Sequence, residues 1–185
     1  NDDDKCFVST NNGIYTSDDL GNNWNHEAPL ASFNQLHYDT IQNIYYASDQ
    51  SNGVFKSFDG ITWSNINYNL LGSTKVNHVT TDLDGDVFIA LDQYFIAYKP
   101  QNDTIWQLRS TELGFRGSLH YAFSNTGELL TANQAGISVY NISNDSWNIT
   151  SQHAVRSIEI SNTPSAKLIF SPALEKFYLK DGEFL

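Results

Sequence analysis

Four tryptophans, Trp24, Trp63, Trp106 and Trp147, stand 39, 43 and 41 residues apart in a chain of 185 residues. A second series keeps the same spacing: His37, His78 and His120 are separated by 41 and 42 residues. A period carried by independent residue types marks an internal repeat, and a repeat limits the fold more than any local propensity does. The parts within each period recur in one order. "KVNHVTTD", "GSLHYAFS" and "AVRSIEIS" alternate apolar and polar residues, and "DVFIALD", "ELLTANQ" and "AKLIFSP" follow them. A third run such as "GVFKS" or "GISVY" comes next, and a fourth begins at each Trp. Gly, Asn and Asp separate the runs, so they read as antiparallel hairpins. No stretch carries a helical period. The chain is expected to be all-β.

A four-stranded unit of roughly 40–45 residues cannot bury both faces of its own sheet, so successive units pack around a common axis as the blades of a β-propeller. With strands lettered a to d from the axis outward, the first repeat supplies only b, c and d ("KCFVST", "GIYTS", "WNHE"). The next three are complete, and the last holds a, b and c with "EFL" as a stub of d. One propeller domain is expected over residues 1–185, with repeats near 1–30, 31–72, 73–115, 116–152 and 153–185. That amounts to about 4.5–5 blades, a five-bladed ring or a piece of a larger one. The abrupt ends and the lack of Met favour the piece. An open ring would expose an edge strand and allow self-association through it.

Two stretches share a phrase, "NGIYTSDDLGNNW" and "NGVFKSFDGITW". The first contains Ser17-x-Asp19-x-Gly21-x-x-Trp24 and the second Ser57-x-Asp59-Gly60-x-Thr62-Trp63, one residue shorter. Both resemble the Asp-box (BNR-like) motif of sialidase-type, sortilin-type and photosystem-assembly-factor propellers. "VNHVTTDLDGDVFIAL" is similar to the two-component-regulator propeller repeat, with its D-x-x-G turn between strands a and b. The resemblance implies a propeller whose boxes lie on the outer rim, away from the ligand site. The local chemistry agrees. The Asp carboxylate accepts main-chain N–H groups that the c–d turn leaves unpaired, Gly supplies a left-handed φ, and the Trp is expected to bury its face as strand d starts. Ser17, Asp19, Gly21, Trp24, Ser57, Asp59, Gly60 and Trp63 are therefore read as scaffold.

By analogy with other propellers, ligands use the face formed by the d–a and b–c loops. Arg109, Arg116 and Arg156 are the only arginines and map to that face or just beneath it. In a chain of net charge −11, such a cationic patch suits a carboxylate or sulfate, although three separate surface ion pairs are the more direct account. His37, His78 and His120 occupy equivalent places on successive innermost strands, with Ser157 in the fourth. A ladder of imidazoles suits metal binding or pH sensing, yet an inherited packing residue accounts for it more directly, and no metal or other cofactor is assigned. The b–c turns contribute Asp49, Gln50, Asp92 and Gln93, and Tyr68, Phe115, Phe33 and Tyr94 lie in or beside loops there. Amides with aromatics suit a sugar ring. Asp82-Leu-Asp84-Gly85-Asp86 has the alternation of a calcium loop, but the next repeat keeps only the turn, as "SNTGE".

The charge argues against nucleic acid and anionic membranes as partners, and the longest apolar run, "VFIALDQYFIAY", is too short to span a bilayer. One cysteine excludes an intrachain disulfide. Four sequons, at Asn102, Asn141, Asn144 and Asn148, favour an extracellular or periplasmic location. Catalysis is not indicated, and no catalytic residue is assigned. The arginine triad of a sialidase would need all three arginines, and the sialidase Arg-Ile-Pro signature is missing. A xyloglucanase-like pair of carboxylates would have to come from Asp39, Asp49 and Asp92, and nothing in the sequence pairs them. The expected function is a non-catalytic module that binds a glycan or protein ligand. Part of a propeller glycosidase and an assembly-factor propeller are the alternatives.

Overall fold

Each repeat folds into one antiparallel sheet whose strands follow chain order. The computed structural model describes residues 5–28, 32–70, 75–91, 96–109, 120–123, 127–133, 136–141, 144, 146–151, 157–160, 166–171 and 176–181. Sheet 1 contains β1 (Cys6–Thr10), β2 (Gly13–Ser17) and β3 (Asn25–Ala28). Sheet 2 contains β4 (Phe33–Asp39), β5 (Ile44–Asp49), β6 (Gly53–Ser57) and the two-residue β7 (Ser64–Asn65). Sheet 3 is β8 (Val76–Thr81), β9 (Val87–Leu91), β10 (Ile96–Lys99) and β11 (Gln107–Arg109). Sheet 4 is β12 (His120–Phe123), β13 (Leu129–Asn133), β14 (Gly136–Asn141) and β15 (Ser146–Ser151). Sheet 5 has β16 (Ser157–Ile160), β17 (Ala166–Ser171) and β18 (Lys176–Asp181). The described residues contain no helix.

The innermost strands β4, β8, β12 and β16 pack on one another in succession, and β4, β8 and β16 also lie against β1, β5 and β13 of the preceding sheets. Sheets fanned in this way around a shared axis form a β-propeller. The short strands follow from composition: alternating β-branched and aromatic residues, cut every few positions by Gly, Asn or Asp. Among the described strands, no sheet combines strands from the two ends of the chain.

The core lies between sheets. Ile44, Tyr46 and Val54 of sheet 2 pack with Val76, Val79, Ile89 and Trp106 of sheet 3. Phe88 and Ile96 of sheet 3 meet Tyr121, Leu129, Tyr140 and the half-buried Trp147 of sheet 4. Ile14 of sheet 1 meets Phe33, Ala47, Phe55 and Trp63 of sheet 2. Each of the later tryptophans thus fills the gap between its own sheet and the one before. Each fully buried aliphatic or aromatic side chain contributes about 1.5–3 kcal/mol of transfer free energy. Trp24 corrects the expectation for this position: it is 42% exposed, because no described sheet lies on that side of sheet 1.

Candidate functional site

Main-chain register places His78, His120 and Ser157 alike but not His37: Asp39 and Asp82 cap equivalent turns, and Gln35, not His37, stands four residues before Asp39 as His78 stands before Asp82. His37 pairs with Tyr46, His78 with Ala90, His120 with Ala132 and Ser157 with Phe170, each between a first and a second strand. The side chains of His37 and His78 reach across to the next sheet. His37 Nε2 shares a hydrogen bond with Thr81 Oγ1 at 2.9 Å, and His78 Nε2–H donates to the Tyr121 carbonyl at 2.7 Å. Since that acceptor is a carbonyl, Nε2 of His78 carries the proton. Burial pushes the His37 pKa below its ordinary 6.5, and the charge of Asp39 only partly offsets this.

Two amides continue the pattern, Gln35 standing at the place that His78 takes in the next sheet. Asn34 Nδ2 donates to the Val76 carbonyl at 3.0 Å, and Gln35 Oε1 accepts the Val79 N–H at 2.7 Å. These side chains satisfy main-chain groups on the axis-facing edge of β8 that no strand pairs. Histidines and amides together tie inner strand to inner strand.

The two ends of the sheets differ in chemistry. At the a–b and c–d end, carboxylates are bound to turns. Asp39 is buried; its Oδ1 accepts the N–H groups of Ile41 and Gln42, and its Oδ2 accepts Gln42 Nε2 at 2.7 Å. The same Gln42 amide donates to the Gly85 carbonyl of the next sheet's turn at 2.8 Å. The Asp82–Asp86 turn is not organised as a calcium loop. Asp82 Oδ1 accepts the N–H groups of Asp84 and Asp86, while Asp86 accepts the Gln101 N–H and the Tyr98 hydroxyl. Burial raises the Asp82 pKa above its usual value, and the Asp86 N–H opposes the rise. Among the described residues, no three His, Cys, Asp or Glu side chains are placed to hold a metal ion.

The repeated phrase folds twice into one hydrogen-bonded turn. Ser17 Oγ donates to Asp19 Oδ1 and accepts the Gly21 N–H, both at 2.8 Å, and Asp19 Oδ1 accepts the Asn23 N–H at 2.8 Å. In the second copy Ser57 Oγ does the same with Asp59 and the Gly60 N–H, and Asp59 Oδ1 accepts from Ile61 and Thr62. The longer copy places its extra residue, Leu20, at φ +58° before Gly21 at +88°, and the shorter needs only Gly60 at +74°. These donors, led by the N–H of Asn23 and of Thr62, hold both carboxyls below the usual carboxylate range.

At the d–a and b–c end, Asp49 is buried, and its Oδ1 accepts the N–H groups of Ser51 and Asn52 at 2.6 Å. Its Oδ2 has no hydrogen-bond partner among the described residues. Gln50 is exposed at the tip of the turn. Asn67 locks this turn to the segment after β7: its Oδ1 accepts the Val54 N–H at 2.8 Å, and its Nδ2 donates to the Asn52 carbonyl at 2.6 Å. Gly53, at φ +90°, leaves room for that amide. The next residue, Tyr68, is 70% exposed. Sequence reasoning found Tyr68 and Gln50 but missed Asn67. Its only signal was the local richness in Asn at "NINYN".

The remaining candidates are spread out or undescribed. Arg109 ends β11 and His120 opens β12. Arg116, Arg156, Asp92, Gln93 and Phe115 lie outside the described residues. Asp39 and Asp49 close opposite ends of the β4–β5 hairpin, whose register runs from Phe33↔Asp49 to Asp39↔Ile44. At about 3.3 Å per residue the five steps from Ile44 to Asp49 place them roughly 17 Å apart, far beyond the ~6.5–9.5 Å of an inverting carboxylate pair.

No protein-family model matches the sequence, and no curated protein does. Solved structures do match. An extracellular domain assigned to a one-component system of B. thetaiotaomicron superposes with TM-score 0.73 at 12% identity, over 97% of this chain and 26% of that one. YCF48 bound to D1 peptide superposes with TM-score 0.68 at 19% identity, over 96% of this chain and 58% of that one. YCF48 from Cyanidioschyzon merolae does so with TM-score 0.64 at 15% identity, over 96% and 68%. This chain thus spans about a quarter of that extracellular domain and under two thirds of the peptide-bound YCF48.

Proposed function

We propose that this chain is a non-catalytic binding or sensing module, a propeller of the Asp-box kind, that takes a glycan or protein ligand at the d–a and b–c end of its sheets. The observation that carries the reading is the Asn67 clasp. It holds the exposed Tyr68 ring on a pinned segment beside the amide-rich turn of Gln50 to Asn52. An aromatic whose backbone is already fixed loses little entropy on binding, and neighbouring amides supply directional hydrogen bonds. The carboxylates of the opposite end are engaged by turn N–H groups and so favour scaffold over catalysis. The fold likeness to extracellular sensor domains and to a peptide-bound YCF48 supports binding and a site of action outside the cytoplasm. The YCF48 likeness also favours a second reading, an assembly factor whose ligand is a protein segment.

The test is a glycan array and a peptide array probed with the 185-residue chain. Tyr68→Ala should weaken whichever ligand binds by about tenfold, the loss typical of a contact that dominates a small interface. Binding to neither array, or binding indifferent to both Tyr68→Ala and Gln50→Ala, would reject the site. Peptide hits without glycan hits would select the assembly reading.

A further inference from the structure

Three turns at the a–b and c–d end share one construction. The Ile41 N–H donates to Asp39 Oδ1 and the Ile61 N–H to Asp59 Oδ1, both at 2.8 Å, and the Ile105 N–H donates to Asp103 Oδ1 at 3.1 Å. Such a turn uses only the N–H of its third residue, so any side chain but proline would serve there, and turns ordinarily take Gly, Asn, Asp or Ser. The d–a and b–c end keeps to that rule. There the Ser51 N–H donates to Asp49 Oδ1 at 2.6 Å, and the Asn12 N–H donates to Thr10 Oγ1 at 3.1 Å. Folding of the turns therefore does not account for isoleucine at one end only.

The three isoleucines face solvent: Ile41 is 56%, Ile61 45% and Ile105 46% exposed. Phe58 and Leu83, in the same turns' neighbourhood, are exposed as well. All five belong to sheets 2 and 3, which have a packed sheet on either side, so a missing neighbour does not explain them. The turns also touch one another. Gln42 Nε2 donates to the Gly85 carbonyl at 2.8 Å, and a Cβ on Gly85 would meet the Gln101 amide at 3.3 Å. A Cβ on Gly127, in the turn of sheet 4, would meet Leu83 at 3.9 Å. Exposed apolar side chains spread over touching turns mark a site of association.

The charge of this end is one-sided. Asp59 and Asp84 are exposed among the apolar residues, and turn N–H groups keep the Asp59 carboxyl ionised. The lysines are half-buried and occupied locally. Lys56 lies over the Phe58 ring at 5.3 Å, Lys99 Nζ donates to the Asp103 carbonyl at 3.2 Å, and Lys5 lies 3.9 Å from Asp18.

We infer that the a–b and c–d end of sheets 2 and 3 is a docking surface for a polypeptide segment that interleaves basic and apolar side chains. The apolar side chains would cover the three isoleucines with Phe58 and Leu83, and the Lys or Arg groups would meet Asp59 and Asp84. Charge selects this occupant. An anionic membrane, or a second copy of a chain of net charge −11, would bring like charge to the same carboxylates. The surface lies at the other end of the sheets from Tyr68 and is independent of ligand binding there.

The probes are three short synthetic peptides, alternating Lys with Leu, Glu with Leu and Lys with Ser, titrated into the 185-residue chain labelled at its isoleucine methyls. The Lys–Leu peptide should bind best and shift the methyl signals of Ile41, Ile61 and Ile105, but not those of buried Ile14 and Ile89. Ile41→Ser/Ile61→Ser/Ile105→Ser should weaken it by at least about tenfold. Asp84→Asn should weaken it less and reduce its salt dependence, and Tyr68→Ala should leave it unchanged. The serine variant keeps every turn N–H; if it nonetheless unfolds, Ile105→Ser with Asp84→Asn gives the same readout. No binding of the Lys–Leu peptide, or equal binding of either other peptide, would overturn the inference. So would dimerisation of the chain alone, or its binding to phosphatidylglycerol vesicles, where the serine variant abolishes it, since a second copy or a membrane would then be the occupant.

Discussion

Sheets 1 and 2 carry the same turn with almost the same hydrogen bonds, yet one turn faces solvent and the other lies in an interface. Ser17–Asp19 and Ser57–Asp59 match in partners and distances. Trp24 is nevertheless 42% exposed, whereas Trp63 packs within 6.0 Å of Phe33. Gly60 makes room for Phe7, and Gly21 makes room for nothing but its own Trp24. Local chemistry therefore builds the turn, and the neighbouring sheet decides how much stability it contributes. The same separation governs the two ends of the sheets. Carboxylates at the a–b and c–d end are committed to turns, while the other end keeps an exposed ring beside amides.

Mutations can break this comparison, beginning with the tryptophans. Trp106 is 3% exposed and donates from Nε1 to the Ile66 carbonyl at 2.7 Å. Trp106→Ala should destabilise by roughly 3–5 kcal/mol, against less than about 1.5 kcal/mol for Trp24→Ala near the surface range, both read from urea denaturation. Equal losses would mean that Trp24 is covered in solution. Next come the glycines. Gly21→Ala should cost about 1–2 kcal/mol for its left-handed φ alone, and Gly60→Ala a further ~1–3 kcal/mol for overlap with Phe7. Relief of that extra loss in Gly60→Ala/Phe7→Ala would sharpen the assignment to the interface.

Smaller effects should appear with pH. Asp19 and Asp59 have folded pKa values below their ordinary 3.8, so the stability they add is complete above 3.8 and is withdrawn as pH falls below it. Replacing both with Asn should flatten the acid limb of denaturation midpoint against pH. The least effect is expected at His37. Its folded pKa is depressed, so stability is full above 6.5 and declines as pH drops from 6.5 toward the folded value. His37→Gln should remove that dependence, and a midpoint still falling over the same window would assign it to another group.

The sequence by itself determined the repeat, the all-β sheets, the order of strands within each and the form of both Ser-x-Asp turns. These are encoded within a few residues by alternation, by glycines at positive φ, and by side chains that hydrogen-bond to adjacent main chain. It also pointed to Tyr68 and Gln50, because exposed aromatics and amides in turns are local features. Only the tertiary structure decided that Trp63 is packed and Trp24 is not, or that Asp39 and Asp49 face opposite ends of one hairpin. It likewise decided that His37 and His78 bond to the next inner strand, and that Asn67 holds the turn before Tyr68. Each of these depends on a register or on a partner in another strand, often about forty residues away, and burial is a property of the neighbouring sheet that no single repeat contains.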